Sequence, residues 1–249
     1  MKIMLAYIMV PHLAQFQSAH SRFISSYLSH PPGEHHSTVI ICNGREPDSR
    51  QKAQFSQIAD CSFFTRTNDG WDIGGYLDYS KQCDADMILC FGASAYFNKP
   101  GWLSRMAKVF AEAPGLYGTC ASYQIRPHLN TSGFFCPPHI LRRYPFGVSS
   151  KSDRYAFEHG PNSLWVLVAR EKLPVKLVLW SGEYQWREWR RAPNCFWRGD
   201  QSNCLAFWRP TEDFSKADMK TKRVLSGFAD TLTDPYFKQQ FNKRKGAEI

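Results

Sequence analysis

The first half of the chain alternates short apolar runs with longer stretches whose apolar residues recur every three to four positions. Ile3–Val10, Thr38–Cys42, Ser62–Thr65, Met87–Phe91 and Leu116–Ala121 have the length and bounding turn residues of buried β-strands. Between them, Ala14–Leu28, Ser49–Ile58, Ile73–Lys81 and Trp102–Glu112 each carry one apolar face and predict helices. Strand and helix in alternation predict βαβ units, and hence an α/β fold with a Rossmann-like, mainly parallel sheet flanked by helices. Asn68-Asp69-Gly70-Trp71 breaks the chain after the third strand, and Asp72 is placed to cap the helix that follows. Gly74 and Gly75 would let another backbone, or a ligand, come close to that helix start.

The second half is less regular. Thr131–Cys136 and Val175–Trp180 read as strands, Pro138–Tyr144 as a short helix, and Ser163–Ala169 fits either. Phe214–Phe228 and Pro235–Lys245 read as polar-faced helices, ending in the basic group Lys243-Arg244-Lys245. With no internal repeat, low-complexity tract or linker, residues 1–249 read as one domain.

Formal charge of +9 and a sequence pI near 9.2 favour anionic partners: nucleotide diphosphates, an anionic membrane surface or nucleic acid. A solvated basic surface accounts for the charge equally well. Eight cysteines include no CxxC pair and several lie inside apolar runs, as Cys42 and Cys90 do, which predicts buried free thiols rather than disulfides or a zinc cluster. His35 and His36 fall in a Pro/Gly-rich turn and read as a solvated loop. No segment reaches the roughly 18 apolar residues of a membrane span, and the N-terminal run KIMLAYIMV stops at Pro11 without a cleavage site. A cytoplasmic protein, resting at most on a membrane surface, is expected.

In an open α/β sheet, ligands bind beyond the carboxyl ends of the strands. Asn43-Gly44-Arg45, Asn68–Gly75, Gly92–Tyr96 and Tyr123–Thr131 all fall there, polar and partly basic, and form either an anion cleft or plain loops. Five tryptophans between 180 and 208, interleaved with Arg187, Arg190, Arg191, Arg198 and Arg209, form either stacking faces for sugars and bases or a packed aromatic unit with solvated arginines. Such residues also suit single-stranded nucleic acid, but no RNP-like, zinc-knuckle or helix-turn-helix pattern accompanies them, so nucleic acid is not the expected partner.

The stretch RTNDGWDIGGYLDYSKQCDADMILCFGASAYFNKPGWLSRM resembles the core of family-2-type glycosyltransferases with the GT-A (nucleotide-diphospho-sugar transferase) fold. The order is similar: an Asn/Gly-rich turn opening a helix, the acidic turn Asp84-Ala85-Asp86 before a strand, and a Pro-Gly-Trp-Leu segment starting the next helix. Gly133-Phe134 then resembles the family's acceptor-side strand, and the pattern extends over most of residues 1–185. The resemblance implies transfer of a sugar from a UDP-, GDP- or dTDP-sugar to a carbohydrate or lipid-linked acceptor in surface-polysaccharide or glycoconjugate synthesis. It places Pro11, Asn43, Asp69, Asp72 and Gly74 around the nucleotide. Glu158, with His159 in place of a second acid, falls where the family keeps its catalytic base; Glu183 and Asp200 are rivals for that role. Residues 180–249 would form an aromatic and basic C-terminal lid with closing helices, using Trp180, Glu183, Arg198, Asp200 and Gln201 against acceptor or diphosphate. The family's Asp-x-Asp, which holds a divalent cation, is replaced by Gly92-Ala93-Ser94. No protein metal ligand is therefore expected and metal dependence is open. Ser94 would lie at the donor, and Arg126 and His128 would supply positive charge to the leaving group, although both also read as surface groups. The alternative is an inactive nucleotide- or glycan-binding protein on a degenerate version of the same fold.

Overall fold

The computed structural model describes residues 1–58, 60–193 and 196–229. The Pro235–Lys245 helix, the basic group 243–245 and Cys195 lie outside the described residues. The first half runs β1 (Ile3–Met9), α1 (Gln17–Ser29), β2 (Ser37–Asn43), α2 (Ser49–Phe55), β3 (Cys61–Arg66), α3 (Trp71–Ser80), β4 (Met87–Phe91), α4 (Trp102–Glu112) and β5 (Leu116–Gly118). This is the predicted alternation. The second half runs β6 (Ala121–Ser122), β7 (His128–Leu129), β8 (Gly133–Cys136), α5 (Pro138–Arg142), α6 (Lys151–His159), α7 (Leu164–Arg170), β9 (Val175–Leu179), β10 (Gly182–Gln185), α8 (Arg209–Lys216) and α9 (Met219–Ala229).

Eight strands form one mixed sheet in the order β10-β9-β5-β8-β4-β1-β2-β3. The β4-β1-β2-β3 and β9-β5 pairings are parallel, whereas β8 runs antiparallel to both of its neighbours and β10 to β9. Both faces are covered, and β1 shows it directly. Ala6 and Ile8 face a core shared with α3, α5, α6 and α7, while Leu5, Tyr7 and Met9 face a second core with α1, α2 and α4. The chain leaves β1 for β2 and β3 on one side and returns to β4 on the other. The β1–β4 boundary is therefore the topological switch point, with its crevice beyond their carboxyl ends.

Several expectations change. Leu116–Ala121 is not one strand: the Thr119 N–H and hydroxyl both donate to the Gly133 carbonyl (2.9 and 3.0 Å), and the chain turns off the sheet into the β6–β7 hairpin. Ser163–Ala169 resolves as helix α7. The expected helix over 214–228 is two helices, broken at Ala217-Asp218, where the Asp218 carboxylate accepts the Thr221 N–H at 2.7 Å. His36 is buried rather than solvated, bonded to the Tyr27 hydroxyl at 3.1 Å and the Glu34 carbonyl at 2.9 Å. Asp84 and Asp86 bind Lys2, which ties the acidic turn to the start of β1. The described cysteines are free, and all but Cys61 are buried. No helix among the described residues is long and apolar enough to cross a membrane.

Candidate functional site

The site begins at the turn into α3. Gly70 and Trp71 both take left-handed backbone angles (φ 68° and 51°), rare for a bulky residue such as Trp71. Arg66 holds this turn, donating to Asp78 (2.7 Å), the Asn43 side-chain oxygen (3.1 Å) and the Asp69 carbonyl (2.8 Å). Asn43 completes the clamp by donating to the Trp71 carbonyl at 2.9 Å. The side chain of Asn43 is thus engaged within the protein. The close approach that Gly74 permits is that of the chain's own Asp69 carbonyl, where an added Cβ would collide. Pro11, also buried, has its carbonyl taken by Arg45 (3.1 Å) and Gln51 (3.0 Å). Asp69 itself is exposed at the tip.

Asp72 accepts the Ile73 N–H at 3.0 Å and pairs with Arg154 of α6, also at 3.0 Å. Arg154 thus pairs with Asp72 of α3 rather than with Glu158 on its own helix. The Arg154 guanidinium sits 5.5 Å from the centre of the Trp71 ring, so the strained turn and α6 meet at one point. Burial raises the Asp72 carboxyl above the usual range, with Arg154 opposing and the nearby Glu158 adding to the shift.

Glu158 lies one helical turn further on. One of its oxygens accepts both the N–H and the hydroxyl of Thr131, each at 3.0 Å. Its other oxygen faces His159 Nε2 at 3.5 Å, and the ring of His128 lies 4.1 Å from that of His159, centre to centre. Thr131 leads directly to Ser132, whose carbonyl accepts the Gly92 N–H at 3.1 Å. The carboxylate therefore stands beside the carboxyl end of β4.

Burial works to raise the Glu158 pKa, but His128, His159 and the two Thr131 bonds outweigh it and leave it below the usual range. Burial lowers His159 to about 4 and lowers His128 as well. Near neutral pH both imidazoles are uncharged, so the Thr131 bonds are what remains there to favour the charged carboxylate against burial. His128 does not supply the positive charge expected of it, because it is buried and neutral. Arg126 is exposed, its carbonyl accepting from His128 Nδ1 at 2.8 Å. Glu158 also borders a small cavity lined by Leu129, Thr131, Phe134 and Trp165.

The Asp-x-Asp cation of the resembled family finds no fitting donor set at Gly92-Ala93-Ser94. The Ala93 carbonyl takes the Tyr7 hydroxyl (2.7 Å), the Gly92 carbonyl takes the Ala95 N–H (3.0 Å), and Ser94 brings only a hydroxyl.

The segment 196–208 straps across neighbouring strand ends. The Phe196 N–H donates to the Ala121 carbonyl (2.7 Å), Phe207 bridges Tyr96, and Cys204 bridges Leu179. Within it, Asp200 accepts from Ser202 at 2.9 and 2.7 Å, Gln201 is buried and donates to the Arg198 carbonyl, and Arg198 donates to the Arg190 carbonyl at 3.2 Å. Asp200 lines a shallow hollow with Lys99, Ser181 and Asn203, and Trp180 lies under Lys99. Glu183 is held at the sheet edge by Lys176 (2.9 Å) and Arg105 (3.4 Å), away from Glu158. Trp189 and Trp208 are buried, so much of the aromatic segment is packing.

The structure thus brings together Asp72, His128, Glu158 and His159, and separates them from Trp180, Glu183 and Asp200. Thr131 and the Asp72–Arg154 pairing were not legible as site features, since the elements carrying them are joined only by the fold.

These features define an α/β protein with a largely buried carboxylate at the switch-point end of its sheet. No protein-family model and no curated protein matches this chain. Among solved structures, it is similar to mannosyltransferase PcManGT from Pyrobaculum calidifontis in complex with GDP-Man and Mn2+, at 10% identity over 70% of this chain and 53% of that one, with a TM-score of 0.49. It is also similar to S. aureus TarS, at 10% identity over 72% and 35% of the two chains, with a TM-score of 0.48. TarS 1-349 in complex with UDP-GlcNAc aligns at 15% identity over 47% and 34%, with a TM-score of 0.39. The chain spans about a third to a half of the length of these structures. Residue roles here rest on this chain's own geometry.

Proposed function

We propose that the chain is a glycosyltransferase domain that moves a sugar, with inversion, from a UDP-, GDP- or dTDP-sugar to a carbohydrate or lipid-linked acceptor. The observation that carries this reading is Glu158: a largely buried carboxylate with one oxygen fixed by Thr131 and the other turned toward His159, beside the carboxyl end of β4. In its ionised form, that second oxygen takes the proton of the acceptor hydroxyl as the acceptor oxygen bonds to the sugar's anomeric carbon. The bond from that carbon to the diphosphate breaks, and its electron pair leaves with the diphosphate. In this reading Asp69 and Ser94 meet the donor, Asp72 and Arg154 set the wall between α3 and α6, and exposed Arg126 meets the leaving group. The 196–208 strap, with Trp180, Arg198, Asp200 and Gln201, covers the far side as a lid on a single domain. The basic surface would favour contact with an anionic membrane from the cytoplasmic side.

Glu158→Gln tests the reading. Turnover should fall by roughly 10²–10⁴-fold while nucleotide affinity stays within about twofold. Unchanged turnover would remove Glu158 as the base. The absence of carboxylates at 92–94 favours one second reading, a nucleotide- or glycan-binding protein without turnover, which would bind donor and release no nucleotide in any acceptor assay.

A further inference from the structure

We propose that His128, Glu158 and His159 form a binding site for one divalent transition-metal ion of the zinc class. One ligand atom from each of the three residues lies within 4.8 Å of the others. Donors around a zinc ion at about 2.0–2.1 Å sit roughly 3.3–3.5 Å apart. Small side-chain rotations therefore close the set, and the Glu158–His159 distance of 3.5 Å is already there.

The surroundings are those of a ligand set. His128 Nδ1 is committed to the Arg126 carbonyl at 2.8 Å, which fixes the tautomer that leaves Nε2 as a lone-pair donor. Thr131 pins one Glu158 oxygen through two hydrogen bonds and leaves the other to ligate. His159 is buried, and its Nδ1 has no hydrogen-bond partner among the described residues. No bond at Nδ1 therefore holds the ring against turning toward a cation. Two imidazoles and one carboxylate suit zinc and its neighbours in the first transition row, not magnesium or calcium, which prefer all-oxygen shells. Glu158 is the partly open member, with 16% of its side chain exposed, so water or a substrate oxygen could complete the shell from that side.

The site itself stands without the transferase reading. If that reading holds, the oxygen that ligates is the one that takes the acceptor proton, so zinc should inhibit transfer.

The test uses the full chain, stripped by a chelator and without nucleotide, so that failure here is separate from failure of the donor site. Equilibrium dialysis against Zn2+ should find one tight equivalent per chain, weakened at least 100-fold in His128→Gln and in Glu158→Gln. Should either variant fail to fold, Co2+ in the unaltered protein decides. Its absorption should be that of a four- or five-coordinate ion without a thiolate band, and X-ray absorption should show two imidazoles in the shell. No tight equivalent, unchanged affinity in both folded variants, or a shell lacking imidazole would overturn the proposal.

Discussion

Replacing Arg154 by Met leaves Asp72 with a carboxylate in a largely closed wall and no guanidinium opposite. The pair is separated by 3.0 Å, where unit charges attract by roughly 5 kcal/mol at an effective dielectric of about 20. The gross figure is not the net one. Breaking one side of a buried pair costs about 3–5 kcal/mol, but Arg154 is 34% exposed and Asp72 16%, so water takes over part of the lost partner's role. A loss of about 2 kcal/mol for Arg154→Met follows. Asp72→Asn alone should cost less, because the freed guanidinium is the more exposed partner, and the two changes together should cost less than their sum. Urea denaturation of the four proteins at pH 7 measures the coupling directly, with about 1–2 kcal/mol expected. The pH sign is also fixed. The Asp72 carboxyl already lies above its usual range and rises further without Arg154, so Arg154→Met should regain stability relative to the parent as pH falls toward that range. A coupling below about 0.5 kcal/mol would refute the view that this pair joins α3 to α6.

Gly74→Ala should destabilise by about 3 kcal/mol or more through overpacking, because the new Cβ would collide with the Asp69 carbonyl; thermal denaturation reads this, and a loss under about 1 kcal/mol would show that the turn can yield. Acid should weaken the fold through His20, which is buried with its pKa lowered to about 4. Since the Tyr7 hydroxyl donates to Ala93, it accepts from His20 Nδ1, and a second proton on Nε2 meets no acceptor among the described residues. The unfolded chain binds that proton from about pH 6.5 downward, so this contribution is complete above 6.5 and lost toward pH 4. It amounts to about 3 kcal/mol in all, and denaturation midpoints of the parent and His20→Asn between pH 7.5 and 5 should converge; parallel pH profiles would count against it.

The parallel half of the fold was legible because its strands are buried on both faces, so each reads as an unbroken apolar run between turn residues. Met87–Phe91 is the plainest case, buried at every position. The second half was harder because its pairings are antiparallel, short and remote in sequence: β8 wedges between β4 and β5, which no local pattern encodes. Helix α6, the carrier of Arg154 and Glu158, did leave a local signal, since Ser150 and Asp153 cap each other reciprocally. Its polar face gave little apolar periodicity to accompany that signal. Glu158 and His159 were legible as candidates from their place in a resembled motif. Their neighbours were not: burial makes His128 neutral, and Thr131 reaches Glu158 across 27 positions. Asn43 and Gly74 serve the turn into α3 because Arg66 and Asp69 converge there, a purely tertiary fact.

The central claim is that the switch-point crevice holds a nucleoside diphosphate. Calorimetric titration of the full chain with UDP, GDP and dTDP, each with and without Mn2+, measures that directly. One of the three is predicted to bind at a single site, with affinity falling at least tenfold in Gly74→Ala or Arg154→Met if either folds. Absence of binding by all three, under both conditions, would contradict the claim.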